Sequence, residues 1–523
     1  MIRIGRLKLN PDHSKQDLIQ KIAKTLRISE TEIIDFQIKK QSLDARKKPE
    51  LKYVYTVDVK VHNEGQILKK QKNNQITLVN ESRYEFPVKG TKLSKHQPVI
   101  IGCGPAGMFC AYLLAEYGYK PILFERGASV EERVKDIENF WNTGELNEQS
   151  NVQFGEGGAG TFSDGKLTTR VKDKRIQYVM DKLVKHGADS SIKWHTHAHI
   201  GTDKLRGIVK NIRNHIIELG GEVHFESQIE KLCIENGQIK GVYLHDTFYP
   251  SHHVFCAIGH SACDTFEQFH TQNIQMESKE FAVGVRVEHP QSLINECQYG
   301  RYADHPSLPA AEYRLAHQCT TGRGVYTFCM CPGGFVVPSS SHHGKLVVNG
   351  MSESGRDQTN ANSALLVQVK KEDFGNNLFD GLRYIEQLER KAFIMGGSNY
   401  RAPMQNGEDF LNNTVSTRYK NVLPSYALKG TFAQLSDLFD PVITESLKEG
   451  LLAFDRKLPG FKDGLLTAVE SRSSSPLRIV RDETYQSISV KGFYPIGEGA
   501  GYAGGITSSA LDGLRAVEAC MKL

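Results

Sequence analysis

The residues best placed to do chemistry begin at Gly102-Cys103-Gly104-Pro105-Ala106-Gly107, a GxGxxG run whose variable places hold Pro105 and Ala106. That spacing suits a dinucleotide. Gly102 allows a tight turn, Gly104 lets a pyrophosphate touch the backbone, and Gly107 lets a helix pack closely on a strand. The N-terminus of that helix then stabilises the phosphate charge. Glu125 follows 23 residues after Gly102, close to the usual offset of about 20, where a carboxylate binds both ribose hydroxyls. The same carboxylate repels a 2′-phosphate.

The motif needs a strand before it and a helix after it, and both are legible. Pro98-Val99-Ile100-Ile101 is a short apolar strand. Met108, Ala111, Leu114 and Ala115 make one helical face, Gly118 suits a left-handed cap, and Pro121-Ile122-Leu123-Phe124-Glu125 is a second strand ending in the acid. Taken alone, this unit leaves FAD and NAD both open.

Two later segments favour FAD. Gly492 to Gly501 reads as a strand closing on Gly497-Glu498-Gly499, and Gly504-Gly505-Ile506 opens a final helix. This arrangement resembles the second fingerprint of the glutathione-reductase-type FAD fold. The resemblance implies that the acid binds the ribityl chain or pyrophosphate and that the helix N-terminus faces the flavin. Positive partial charge there stabilises electron density on the reduced ring. Between the two fingerprints, Phe225 to Ile229 reads as a strand, a hairpin follows, and Val254 to Gly259 returns towards the nucleotide through Ala257 and Gly259. In that fold the backbone near Ile229 meets the adenine. The three segments together imply non-covalent FAD.

A fourth segment, Asn151-Val152-Gln153-Phe154-Gly155-Glu156-Gly157-Gly158-Ala159-Gly160-Thr161-Phe162-Ser163-Asp164-Gly165-Lys166-Leu167, narrows the resemblance. Glu125-Arg126-Gly127 and Glu131-Glu132-Arg133 precede it, and Ala257-Ile258-Gly259-His260-Ser261-Ala262 follows. With these motifs the whole chain, including Ser42-Leu43-Asp44-Ala45-Arg46, resembles a bacterial family of uncharacterised FAD-dependent dehydrogenases. By that analogy Arg126, Arg133, Ser163 and Asp164 lie along the cofactor. Glu498 stands where the wider fold class has Asp, one methylene shorter.

The implied fold class is α/β: a glutathione-reductase-type Rossmann-like FAD-binding domain with an inserted α+β substrate or cap domain and a small N-terminal α+β domain. The expected boundaries are 1–90 for the N-terminal domain, 97–274 and 461–523 for the two parts of the FAD-binding domain, and 275–460 for the cap. The N-terminal unit shows an alternating start, a helical pattern through Leu18, Ile22 and Leu26, and a strand at Tyr53–Val59. Its end is the connector Gly90 to Pro98.

Catalytic residues are less legible. Cys329 and Cys331 lie in Val325 to Gly334, which reads either as a redox dithiol or as a strand entering a Pro-Gly-Gly turn near the flavin; alternation puts both thiols on one face without an easy bond between them. Arg472, in the polar run Glu470 to Arg478, suits a substrate carboxylate, a nicotinamide phosphate or the cofactor wall. His195, His197 and His199 alternate as on one strand face, where exposed or hydrogen-bonded histidines are commoner than metal ligands, so no metal is expected. His260, just after the returning strand, is a candidate general acid.

Composition bounds the rest. Lys+Arg 65 against Asp+Glu 60 gives a net charge of +5, and 39% hydrophobic residues can fill ordinary cores. The basic runs Lys39-Lys40, Arg46-Lys47-Lys48 and Lys69-Lys70-Gln71-Lys72 read as solvated faces, so a nucleic-acid partner is not expected. Ten unevenly spaced cysteines make no disulfide framework in 523 residues. With no apolar run of membrane length and no signal-like start, a cytoplasmic protein is expected.

The functional expectation is an FAD-dependent oxidoreductase passing a hydride through flavin N5 between a small organic substrate and an unidentified acceptor. With one GxGxxG and no second Rossmann unit, NAD(P)H remains open as a transient co-substrate at the flavin face. Two alternatives stand beside it: a double-bond reductase resembling geranylgeranyl reductases, and a flavin-containing RNA-modification or interaction protein suggested by the basic N-terminal domain.

Overall fold

The computed structural model describes residues 1–47, 50–71, 73–79, 84–86 and 95–522. Lys48, Lys72 and most of the expected 90–98 connector lie outside them.

Residues 2–78 form a βαββαβ unit. Its antiparallel sheet runs in the order Ile33–Lys47, Glu50–Val61, Ile2–Leu9, Ile76–Leu78, a split βαβ topology. Helix Lys15–Leu26 forms where Ser14 and Asp17 make a capping box, and it turns Leu18, Ile22 and Leu26 onto Ile2, Ile4, Val57 and Val59. The strand expected at Tyr53–Val59 is longer, and its partner Ile33–Lys47 alternates at Ile34, Phe36 and Ile38 and again at Leu43 and Ala45, with the polar run Lys39 to Ser42 between. The reason is tertiary: the hairpin runs onto the body of the protein. There Leu43, Ala45 and Leu51 pack into another core, and Gln41 exchanges backbone hydrogen bonds with Trp194 (2.8 Å) and Thr196 (3.0 Å).

The central sheet is parallel, in the order Phe493–Pro495, Val254–Cys256, Val99–Ile101, Ile122–Phe124, Glu222–His224. Its inner strands are short and wholly apolar because both faces are covered. Ile100, Leu123, Phe255 and Tyr494 face helices Pro105–Glu116, Thr202–Glu218 and Ile506–Lys522. Val99, Phe124, Val254 and Phe493 face the small antiparallel sheet of Lys231–Glu235, Gln238–Leu244 and Thr247–Pro250.

Between the strands at 256 and 493, the chain builds a seven-stranded sheet ordered Ala316–Gln318, Gly324–Cys331, Asn360–Val369, Phe281–Pro290, Leu465–Glu470, Ala402–Asn406, Gly430–Phe432. In Phe281–Pro290 every residue from Phe281 to His289 is buried. The strand Leu465–Glu470, beyond the expected boundary at 460, belongs to this sheet because it pairs with Phe281–Pro290. Among the described residues no helix is long and apolar enough to cross a membrane.

Candidate functional site

The central parallel sheet and the seven-stranded sheet meet at a cleft of about 1230 Å³, the first through Ile101 and Phe124 and the second through Tyr326 and Glu470. Its floor is the glycine loop. At Gly102 (φ +98°) a Cβ would lie 2.4 Å from the Ala257 carbonyl oxygen, and at Gly107 one would lie 1.9 Å from that of Gly102. These two glycines therefore bring strand, helix and returning strand together. Gly102, Gly104, Pro105 and Ala106 line the cleft, whereas Gly107 lies behind it.

Glu125 also lines the cleft, but its carboxylate is already engaged. Oε2 accepts from the Cys103 amide (2.7 Å), and Oε1 accepts from the Gly127 and Gly155 amides (3.0 Å each). Three of about four acceptor positions are thus used, so one is left rather than the two that a pair of ribose hydroxyls would need. Arg126 lines the cleft, stacks on Phe154 at 4.4 Å and pairs with Asp264 at 2.6 Å. Arg133 does not reach the wall. Fully buried, it donates to the carbonyls of Asn151, Val152, Glu156 and Gly158, so its work is to hold the 151–158 loop in shape.

Ser163, Ile229, Ala257 and Gly259 line the cleft, as do Gly497 and Glu498. Asp512 fixes the turn around Gly497 by accepting its amide (2.8 Å) while bound to Arg481 (2.7 Å). His260 places Nδ1 3.2 Å from Glu498 Oε1, and its buried Nε2 has no hydrogen-bond partner among the described residues. Gly504, Gly505 and Ile506 bring the N-terminus of the last helix to the same space.

The opposite wall is charged. Asp164 forms two hydrogen bonds with Arg356 (2.9 and 2.5 Å) and lies 3.7 Å from Lys166 Nζ. Arg356 also pairs with Glu312 (2.6 Å), and Glu312 pairs with His197 (3.2 Å). Burial would raise Glu312, but the His197 hydrogen bond and the Arg356 charge bring it down to about 2. The three alternating histidines do not share a strand face. Residues 194–199 form turns with isolated bridges, so His195 sits edge-on to Trp194, His197 reaches Glu312, and His199 Nε2 lies 3.4 Å from the Ser354 carbonyl oxygen.

Arg472 lines the cleft with its charge already balanced, since Glu389 takes its Nε (2.6 Å) and Nη2 (2.8 Å). Cys329 lines the cleft and Cys331 is buried beneath it. Cys331 Sγ lies 3.3 Å from the Cys329 carbonyl oxygen, an approach that sequence alternation did not anticipate. Behind them, the fully buried Arg286 bonds Asn362 (3.1 Å), Asn349 (3.3 Å), Glu470 (3.2 Å) and the Cys329 carbonyl (2.7 Å).

Arg286, Glu312, Arg356 and Glu470 were not singled out from the sequence. The available signal was a charged residue inside or ending an apolar strand, as at Arg286 and Glu470, because such groups are buried only with partners.

Burial raises the Glu470 carboxyl from 4.5 to about 7, and the Arg286 charge offsets only part of this. A folded-state value above the unfolded one means that the folded protein holds an extra proton between these limits. Its stabilisation is full below about 4.5 and is lost as pH rises through about 7. Thermal unfolding of the wild type is therefore expected to lose more stability across that window than Glu470→Gln does. Parallel pH profiles of the two proteins would refute the protonated assignment.

Three family models match the chain: "FAD-dependent protein, C-terminal domain-like" over residues 280–473, "NAD(P)-binding Rossmann-like domain" over 100–144, and a domain of unknown function over 1–60. An uncharacterised protein of Clostridium beijerinckii is 46% identical over 99% of this chain and 98% of its own length. Solved structures with a similar fold include an L-proline dehydrogenase from P. horikoshii (10% identity, 82% of this chain and 94% of that one, TM-score 0.36). A glycine oxidase from Bacillus cereus is another (12% identity, 82% and 95%, TM-score 0.31).

A Rossmann-like sheet whose glycine loop opens on a cleft defines a dinucleotide-binding protein. The chain belongs to one family with its Clostridium relative, its residues 280–473 match the FAD-dependent protein model, and it is an FAD-dependent oxidoreductase.

Proposed function

We propose that FAD occupies this cleft and that an organic substrate is oxidised or reduced against the charged wall beside it. One observation carries the reading: the N-termini of helices Pro105–Glu116 and Ile506–Lys522 open on the same cleft through bare glycines. A Cβ at Gly104 would have only the Gly158 Cα near it, at 3.9 Å, and one at Gly504 would meet nothing within 4 Å. That is the space a pyrophosphate and a flat ring require.

The amides at the Pro105 end would hold the pyrophosphate, and the remaining acceptor position of Glu125 would take a ribose hydroxyl. Ile229 and Arg126 would flank the adenosine, and Glu498, held by His260, would contact the ribityl chain. These elements follow the glutathione-reductase-type layout, with the seven-stranded sheet as the substrate-covering insert. Bound FAD supplies a two-electron acceptor for hydride transfer at N5. Glu470, protonated near neutral pH, can donate a proton from its carboxyl, and His260 Nε2 offers a second proton site. Lys166, Glu312 and Glu470 give the wall charge, which suits a polar donor better than an isoprenoid chain.

Anaerobic absorbance spectra before and after NADH or NADPH test whether a nicotinamide donates the electrons. Bleaching of the oxidised flavin band is the result that supports a nicotinamide link. A band that persists with both nucleotides and bleaches with no organic donor refutes the proposed chemistry.

A further inference from the structure

Cys329 ends up beside Cys331 because the sheet is irregular there. Strand Gly324–Cys331 pairs with Asn360–Val369 at Phe328↔Ala364 and again at Cys331↔Asn362, so one extra residue is accommodated. Cys329 takes up the distortion, with φ at +43°. In a regular strand, residues two apart have Cα atoms about 6.6 Å apart, with roughly parallel side chains. That is close to the upper limit for a disulfide, about 6.8 Å, and the side chains do not converge. At the bulge Cys331 Sγ comes within 3.3 Å of the Cys329 carbonyl oxygen, so the two thiols lie within each other's electrostatic reach.

The surroundings suit a thiolate. Arg286 Nη2 lies 3.6 Å from Cys331 Sγ and donates to the Cys329 carbonyl, and the Lys166 ammonium faces the same pair. Asp164 is the anion nearby and is engaged by Arg356, while the Glu470 carboxyl, raised to about 7 by burial, is held by Arg286. The Cys331 thiol, with support from Lys166 and Arg286, lowers Cys329 despite its burial, and Cys331 is pushed above the ordinary thiol value. Cys329 lines the cleft and Cys331 is buried beneath it, so the outer cysteine is placed as the nucleophile and the inner one follows it.

The pair also stands beside the expected flavin end of the cleft. Lys166 belongs to the loop whose Leu167 carbonyl accepts from Thr507 in the first turn of the last helix (2.7 Å). A Cβ at Gly160, in the same loop, would lie 2.9 Å from Ile506.

We propose that Cys329 and Cys331 form a dithiol–disulfide couple that passes two electrons between the bound FAD and a small organic disulfide; this rests on FAD occupying the cleft. The Cys329 thiolate attacks one sulfur of the external disulfide, forming a mixed disulfide and releasing one thiolate. Cys331 then attacks Cys329 Sγ, forming the internal S–S bond and releasing the second sulfur, which carries away the Cys331 proton as a thiol. Two electrons and one proton from the reduced cofactor break the internal bond and restore one thiolate and one thiol. Atoms and electrons balance in both halves.

Two measurements test this. The apoprotein and holoprotein are equilibrated with oxidised and reduced glutathione, alkylated, and mapped by mass spectrometry. The peptide spanning 329 and 331 is expected to pass from doubly alkylated to unalkylated, lighter by two hydrogens, as the buffer becomes oxidising. The disulfide-oxidised holoprotein is then titrated anaerobically with dithionite. Wild type is expected to take up about two electron equivalents more than Cys329→Ser or Cys331→Ser, each with its flavin band intact. A peptide that stays doubly alkylated at every poise, or equal electron uptake in all three proteins, overturns the proposal. Failure of FAD to bind would instead show as a missing flavin band, while the apoprotein mapping still reports on the couple.

Discussion

Gly104→Trp is expected to purify without flavin and to bind added FAD at least ~100-fold more weakly than wild type, a loss of about 2.7 kcal/mol or more. The side chain would start from a cap position whose Cβ has only the Gly158 Cα nearby, at 3.9 Å, so the fold has room for it. Its indole would fill the space in front of the helix amides, where the pyrophosphate belongs. The variant should therefore melt like the apo wild type, lacking only the stabilisation that a tightly bound ligand adds. Gly107→Ala is the contrasting control, because its Cβ falls 1.9 Å from the Gly102 carbonyl oxygen and damages the fold itself. Equilibrium titration by flavin fluorescence, with melting curves for each protein, separates the two effects. A yellow Gly104→Trp protein with native stoichiometry would show that the cofactor lies elsewhere.

Above pH 7, where the Glu470 carboxyl is ionised, Arg286→Ala is expected to cost about 3–5 kcal/mol, the range for removing one partner of a buried ion pair. Arg286 is fully buried, and its loss strands the Glu470 carboxylate and the Asn362 side-chain oxygen and takes one of the donors from Asn349 and from the Cys329 carbonyl. The damage is central because Phe281–Pro290 is the middle strand of the seven-stranded sheet. Adding Glu470→Gln should recover part of the loss, since the stranded group is then uncharged and brings its own donor. Thermal unfolding of the two single variants and the double variant measures the coupling. Additive losses would mean that Arg286 and Glu470 act independently.

The parts of the molecule that were legible in the sequence are those where a ligand or a tight turn dictates residue type locally. Gly102 and Gly107 mark their strand and helix because no side chain fits between the backbones they join, and Gly104 keeps the space in front of the helix amides open. Glu125 was legible as a residue of the cleft, but its three amide partners come from residues 103, 127 and 155, whose convergence no local pattern shows. Arg133, placed along the cofactor by the family resemblance, proves to be a brace, because its partners are backbone carbonyls of a folded loop. Arg286 and Glu470 are 184 positions apart and meet only when their strands pair. The Cys329–Cys331 contact was hidden for another reason: a bulge changes the direction of a side chain without changing the residue pattern that alternation reads.

The most direct test of the account is the identity and stoichiometry of flavin released from the purified protein on heat denaturation, read by chromatography and absorbance. The account predicts FAD, non-covalently held, at about one per chain. A protein that carries none and cannot be reconstituted with added FAD would contradict it.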